Sequence, residues 1–270
     1  MMTACGGNGS GTQTPSGNNQ TAPPAQLNVT TADFKFEVDQ ESVPAGWVEL
    51  IQENTGKAPH EVQMFRLNEG VTFQQFKKAS KGPGITKVAT TVGGTAGTAG
   101  ISTDRTQAVT LELEEGSYAL ICFVQGHNMR GMIAPFEVTA PEGEEQAEPV
   151  ADDTIKAADF ELFLPEGFTG QGTYAFENAG PAEHEITLYK VDATLEEAEK
   201  YLAGKDAFRA PPPGGMKGLD FAGGAAAAEA GITQYVTLDL EPGVYIAACF
   251  VPDKKGPHAF MGMAAAFEVT

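Results

Sequence analysis

The residues best suited to chemistry in this chain are few and they come in matched pairs. Only four histidines are present in 270 residues. His60 and His184 each follow an Asn-x-Gly segment, and His127 and His258 each follow a cysteine, Cys122 or Cys249. In the first set, four residues separate Cys122 from His127 and four more separate His127 from Met132. A thiol, two imidazoles and a thioether form a soft donor set that suits Cu(I) and remains acceptable to Cu(II). The candidate chemistry is therefore a mononuclear copper ion that takes up and releases one electron. The second set, His184, Cys249, His258 and Met263, has every donor type, but eight residues replace four between cysteine and histidine. Met129 offers a second thioether that competes with Met132. A lone histidine is more often a polar surface or core residue, and a buried cysteine is more often a small hydrophobe. Chance scatter, however, would not confine all four histidines to equivalent positions. A Cys122–Cys249 disulfide would require the same point of two domains to meet, and is disfavoured.

The elements that must hold these donors are legible because the chain repeats itself. Glu53-Asn54-Thr55-Gly56 leading to His60-Glu61-Val62 recurs as Glu177-Asn178-Ala179-Gly180 leading to His184-Glu185-Ile186. A Gly turn, a Tyr-containing strand and Cys-Phe-Val recur at 116–124 and 243–251, and Phe-Glu-Val-Thr closes each copy at 136–139 and 267–270. Alternation of apolar and polar residues, as in 34–38 and 110–113, predicts half-buried strands. Thr194 followed three residues later by Glu197 predicts a capped helix bearing Leu195, Ala198 and Leu202 on one face, with a shorter counterpart at 73–79. The Gly/Thr/Ala and Pro/Gly stretches at 82–100 and 205–225 read as long loops beside the helices. Phe123 and Phe250 read as core. The expected fold is all-β: two tandem Greek-key β-sandwich domains, each with a short helix and a long loop insertion. Residues 1–28 form a tether, 29–140 the first domain, 141–153 an acidic linker and 154–270 the second domain.

The Asn-x-Gly segment before the first histidine, the Tyr-containing strand before Cys122 and the Cys-x4-His-x4-Met loop resemble those of the blue copper proteins, or cupredoxins, and most resemble the auracyanin type. The resemblance implies that His60, Cys122, His127 and Met132 ligate copper, with His184, Cys249, His258 and Met263 in the same roles in the second repeat. It also implies electron transfer through an exposed edge of His127 to a transiently docked redox partner. One departure stands out. Many cupredoxins carry Asn after the first histidine ligand, where it steadies the cysteine loop, whereas His60 is flanked by Pro59 and Glu61, which leaves the tuning of the site open.

Lys and Arg total 17 against 36 Asp and Glu, a formal charge of −19. Nucleic acid is an unsuitable partner for such a chain, and the balance predicts a redox partner with a basic face. Met2-Thr3-Ala4-Cys5-Gly6, followed by a Ser/Thr/Asn/Gly/Pro tract, resembles the end of a lipobox, so Cys5 is the expected lipidation site of an extracytoplasmic lipoprotein. Membrane contact is expected only through that lipid. Two-domain oxidases and copper nitrite reductases need a further copper centre with several more histidines, and no His-x-His pair exists. Copper delivery by ligand exchange and a metal-free interaction module remain as alternative readings.

Overall fold

The computed structural model describes Met1 and residues 22–270 except 145 and 159, so Cys5 lies outside the described residues. In the first repeat the strands are β1 (Ala25–Ala32), β2 (Lys35–Val38), β3 (Ser42–Pro44), β4 (Gly46–Asn54), β5 (Val62–Leu67), β6 (Ala89–Thr95), β7 (Arg105–Leu113), β8 (Gly116–Ile121) and β9 (Ile133–Thr139), with helix α1 (Phe73–Ala79) between β5 and β6. The second repeat contains β10 (Asp153–Ala158), β11 (Glu161–Phe163), β12 (Gln171–Asn178), β13 (His184–Val191), helix α2 (Leu195–Leu202), β14 (Asp220–Ala228), β15 (Thr233–Asp239), β16 (Gly243–Ala248), β17 (Pro252–Asp253), β18 (Gly256–Pro257) and β19 (Ala264–Val269). Helix α2 carries the anticipated capping box of Thr194 with Glu197, and α1 has one as well, Thr72 with Gln75.

The two sandwiches are not separate beads. An eight-stranded sheet runs β11-β10-β12-β15-β7-β4-β1-β2, and a nine-stranded sheet runs β19-β16-β13-β14-β6-β5-β8-β9-β3. Each sheet therefore crosses from one repeat to the other, at β15·β7 and at β14·β6, and both seams are antiparallel. The order reads the same outward from either seam until the extra β3 is reached, which makes the molecule a pseudo-twofold pair. In the eight-stranded sheet β1 and β4 pair in parallel, as do β10 and β12, and in the nine-stranded sheet β3 pairs in parallel with β9, so both sheets are mixed. Residues alternating inward from both sheets, among them Leu27, Leu50, Met64, Leu111, Leu120, Phe176 and Leu188, form one apolar cluster that continues across the seam. On the outer face of the nine-stranded sheet, α1 covers Phe65, Ala119 and Ile121 with Phe76, and α2 covers Tyr189 and Ile246 with Ala198.

The stretches 82–100 and 205–225, read as loops, contain β6 and the start of β14, the two strands of one seam. Their glycines are there for close approach rather than for turning. Gly93 and Gly223 hold φ of 115° and 113°, and a Cβ on Gly93 would collide with the side chain of Gln234, one on Gly223 with that of Gln107. Those glutamines stitch the seam: Gly94 N–H donates to Gln234 Oε1 at 2.9 Å and Gly224 N–H to Gln107 Oε1 at 3.1 Å. An ion pair between Arg105 and Asp220 closes its edge.

Candidate metal centres

The hydrogen-bond ladder of β5 and β8, in which Gln63 lies opposite Ile121, brings the residue just before β5 beside the one just after β8. These are the neighbourhoods of His60 and Cys122. His60 is locked by reciprocal backbone bonds with Ile101, donated by His60 N–H at 3.2 Å and returned by Ile101 N–H at 2.8 Å. Asn54 holds the approach: its Nδ2 donates to the carbonyls of Ala58 and Ile101, each at 2.9 Å, and its Oδ1 accepts from Gly56 N–H at 2.9 Å. Gly56 is needed because a Cβ there would sit 2.7 Å from His60 Nε2. Asn178 and Gly180 repeat the arrangement. After Cys122 the chain enters a short 3-10 turn, Val124–Arg130, in which Gln125 and Gly126 adopt left-handed φ of 46° and 76° and swing His127 back over the sulfur.

Three donors converge in each repeat. Cys122 Sγ lies 3.9 Å from His60 Nδ1 and 3.5 Å from His127 Nδ1, and the two Nδ1 atoms are 3.1 Å apart. In the second repeat Cys249 Sγ lies 3.9 Å from His184 Nδ1 and 3.5 Å from His258 Nδ1, with 3.1 Å between the nitrogens. A point in the plane of either triangle lies roughly 2 Å from all three atoms, the bond length expected between a divalent first-row metal and imidazole. The eight-residue loop reaches the same geometry because its additional residues form the β17–β18 hairpin, which pairs Pro252 with Pro257 and returns His258 to the register His127 occupies. Both cysteines are free and buried, so the disulfide reading is set aside.

Met132 and Met263 are wholly buried beside these triads. The Met132 N–H donates to the His127 carbonyl at 3.1 Å and its own carbonyl accepts from Cys122 N–H at 3.2 Å; Met263 makes the corresponding bonds to His258 and Cys249. Met129, the competing thioether, is 59 % exposed. The expected exposed edge of His127 is not observed: the residue is 3 % exposed. Phe34 stands edge-on to it with ring centroids 5.0 Å apart, and Phe160 stands on His258 at 4.8 Å. These two phenylalanines were not singled out from the sequence, although each lies in a repeated Ala-Asp-Phe triplet that could have marked them.

Glu61 and Glu185, at the position where the family resemblance leads one to expect Asn, are buried carboxyls. Glu61 Oε1 accepts from Phe123 N–H at 2.6 Å and Glu185 Oε1 from Phe250 N–H at 2.9 Å, so each anchors the residue following the cysteine. The loop-steadying task expected of Asn is thus taken by a longer side chain that captures a main-chain donor. Phe123 and Phe250 are only half-buried, and their backbones matter as much as their rings. Thr98 of the first repeat donates to Glu185 through its N–H at 2.9 Å and through its hydroxyl, so the second centre is braced from across the seam. Backbone N–H groups of Glu61 and Val124 reach the Cys122 sulfur, and those of Glu185 and Val251 the Cys249 sulfur.

Burial sets the protonation of these groups. It lowers His60 to about 4, helped by the adjacent His127, and lowers His127 and His258 as well. Their imidazoles are neutral and ready to ligate at neutral pH. Burial, and then the nearby Glu61 carboxyl, pushes the Cys122 thiol up, and Cys249 rises to about 12 for the corresponding reasons. A bound metal must therefore displace a proton from each thiol. Burial raises Glu61 and Glu185, and in Glu61 the charge of Glu185 across the seam adds to it.

The sulfocyanin (SoxE) domain family matches residues 18–141, which include the whole first repeat. Residues 18–141 thus match a cupredoxin family, and the chain folds as two tandem cupredoxin-like domains. Sulfocyanin-type sequence lies in the first repeat, and the second repeats its strands and its donor triad. No curated protein matches the chain. Among solved structures, a dithionite-reduced auracyanin from Roseiflexus castenholzii is 22 % identical over 44 % of this chain and 95 % of its own, with a TM-score of 0.27. A multicopper oxidase is 11 % identical over 91 % of this chain and 88 % of its own, at 0.26, and a copper nitrite reductase from Nitrosomonas europaea is 13 % identical over 92 % and 94 %, at 0.27. Copper is the metal that the family and the two His-Cys-His groups support.

Proposed function

We propose that the protein is an electron carrier with one type 1 copper ion in each repeat. His60, Cys122 and His127 would hold one, with the Met132 thioether as a weaker donor, and His184, Cys249, His258 and Met263 would hold the other in the same roles. The observation that carries this reading is the near-superposition of the two triads, distance for distance, despite loops of different length. A sandwich that holds both imidazoles and the thiol from rigid elements limits reorganisation when the metal changes oxidation state, which favours fast electron exchange. All four histidines are used in these triads, leaving none for a second type of copper centre. Electron transfer therefore fits better than oxidase chemistry. Among the described residues no helix is long and apolar enough to cross a membrane, and an extracytoplasmic site with lipidation at Cys5 remains part of the proposal.

Titration of the metal-free protein with Cu(II) tests it. Two equivalents are expected to bind with an intense blue thiolate-to-copper absorption, and Cys122→Ser or Cys249→Ser should each remove one equivalent and about half the colour, since each copper depends on its own thiolate. Colourless, tight Cu(I) binding at both sites would instead favour delivery by ligand exchange. Absence of binding would remove the copper reading.

A further inference from the structure

The mouth of the first centre carries the wrong charge for a protein of net −19. Phe34 covers His127 and is itself only half-buried. It holds a left-handed φ of 63°, and its counterpart Phe160 one of 66°. An aromatic residue in that region costs of order 1 kcal/mol or more, and strain of this kind persists where a residue must be presented in one direction. Arg130 lies over the Phe34 ring, 4.5 Å from its centroid. Lys57 is exposed in the loop that leads to His60, its N–H bonded to Asp33. Lys81, also exposed, follows Ser80, whose carbonyl accepts from Asn128 Nδ2 at 3.0 Å beside His127. Arg130 thus sits on the shielding ring, Lys57 and Lys81 are exposed on segments that adjoin the two histidines, and Asp33 comes within 3.9 Å of His60 Nε2. Lys35 and Glu37 neutralise each other on β2, and the exposed Met129 supplies apolar surface.

The second mouth is different. Pro181 and Met261 occupy the positions of Lys57 and Arg130, and its nearby lysines, Lys254 and Lys255, sit at the tip of the β17–β18 hairpin. Its cation on a ring, Arg209, lies 4.7 Å from the centroid of Phe260, which stands where Met129 does, and not on Phe160.

We infer that the face formed by Phe34 and Met129 and rimmed by Lys57, Lys81 and Arg130 is the docking surface through which the first centre meets an electron-exchange protein with an acidic contact face. The inference rests on the electron-carrier reading and reverses, at this one place, the partner charge that the overall composition predicts. Charge complementarity chooses the partner: a rim charge acts mainly on encounter rate, over the short range that salt leaves unscreened, so local cations outweigh distant acids. An approaching partner meets Phe34, not the histidine, and the electron crosses that ring edge.

Hexacyanochromate(III), a paramagnetic anion that exchanges no electron here, tests the surface on the full metal-free chain by NMR. The amides of Phe34, Lys57, Met129 and Arg130 should broaden first, and the effect should vanish in Lys57→Glu/Arg130→Glu. Broadening spread elsewhere, or unchanged in that variant, overturns the inference. In Cys249→Ser protein carrying Cu(I) in the first centre, one electron passes to hexacyanoferrate(III), giving Cu(II) and hexacyanoferrate(II). The rate should fall as salt rises and drop about tenfold in the double variant, within the usual range of electrostatic steering, while Lys255→Glu leaves it unchanged. A rate that rises with salt overturns the docking proposal. A Cys249→Ser protein that never turns blue with Cu(II) would instead defeat the copper reading, and the metal-free NMR arm would still decide the surface.

Discussion

Gly56 shows how much of a metal centre is decided by residues that donate nothing to the metal. The His60 ring lies so near it that a methyl group would have to displace the imidazole or the loop, and His60 is held on its other side by Ile101. Gly56→Ala is therefore expected to move Nδ1 off the triad and weaken copper binding at the first centre by at least about tenfold, since a shift of 1.4 kcal/mol suffices for that. The second centre should keep its affinity. Copper titration followed by visible absorption reads both, and an unchanged first-site affinity would mean that the loop relaxes without cost. Glu61 and Glu185 make a related point. A carboxyl in place of the expected amide still fixes the cysteine loop, because a backbone N–H donates equally well to a carboxyl or an amide oxygen.

At the level of elements, the short helices matter through their ends. Thr72 caps α1, and at the other end the Ser80 carbonyl holds Asn128, next to His127. Thr72→Ala removes the cap and is expected to cost about 1 kcal/mol of stability, with the copper absorption maximum unmoved, since neither the triad nor its sheet is touched. Chemical denaturation with visible spectroscopy checks both halves, and a shifted maximum would show that α1 positions the ligand directly. The β17–β18 hairpin teaches a different lesson. An insertion between two ligands is harmless when it folds into a unit whose ends lie side by side, as Pro252 and Pro257 do. Loop length alone is a weak guide to whether a site is kept.

For the whole molecule, the decisive feature is that both sheets continue from one repeat into the other. Cutting the chain after residue 141 would expose the edges of β6 and β7, with their unpaired backbone donors and acceptors and the apolar cluster behind them. Exposed edges of that kind recruit another strand. The seam is pseudo-twofold, so the isolated first repeat is expected to form a homodimer that imitates the native pairing, visible by analytical ultracentrifugation. A stable monomer with native copper affinity would show that the seam is dispensable. The seam also explains the Thr98 contact to Glu185, through which the first repeat braces the second centre.

From the sequence alone came the repeat, the β-rich sandwich pair, both helices with the cap of the second, and the full set of histidines and cysteines that converge, because those follow from local periodicity, capping chemistry and the coincidence of rare donor types. Tertiary structure decided what depends on groups far apart in the chain. The Gly- and Ala-rich stretches around β6 and β14 read as loops until a neighbouring sheet and the Gln107 and Gln234 side chains demanded small residues there. His127 proved covered and Phe34 became the outward contact only because the β1–β2 turn packs over the ligand loop. Net charge is a sum over residues and carries no positions, so the cationic rim beside the first centre could not be seen until the fold brought Lys57, Lys81 and Arg130 to one end.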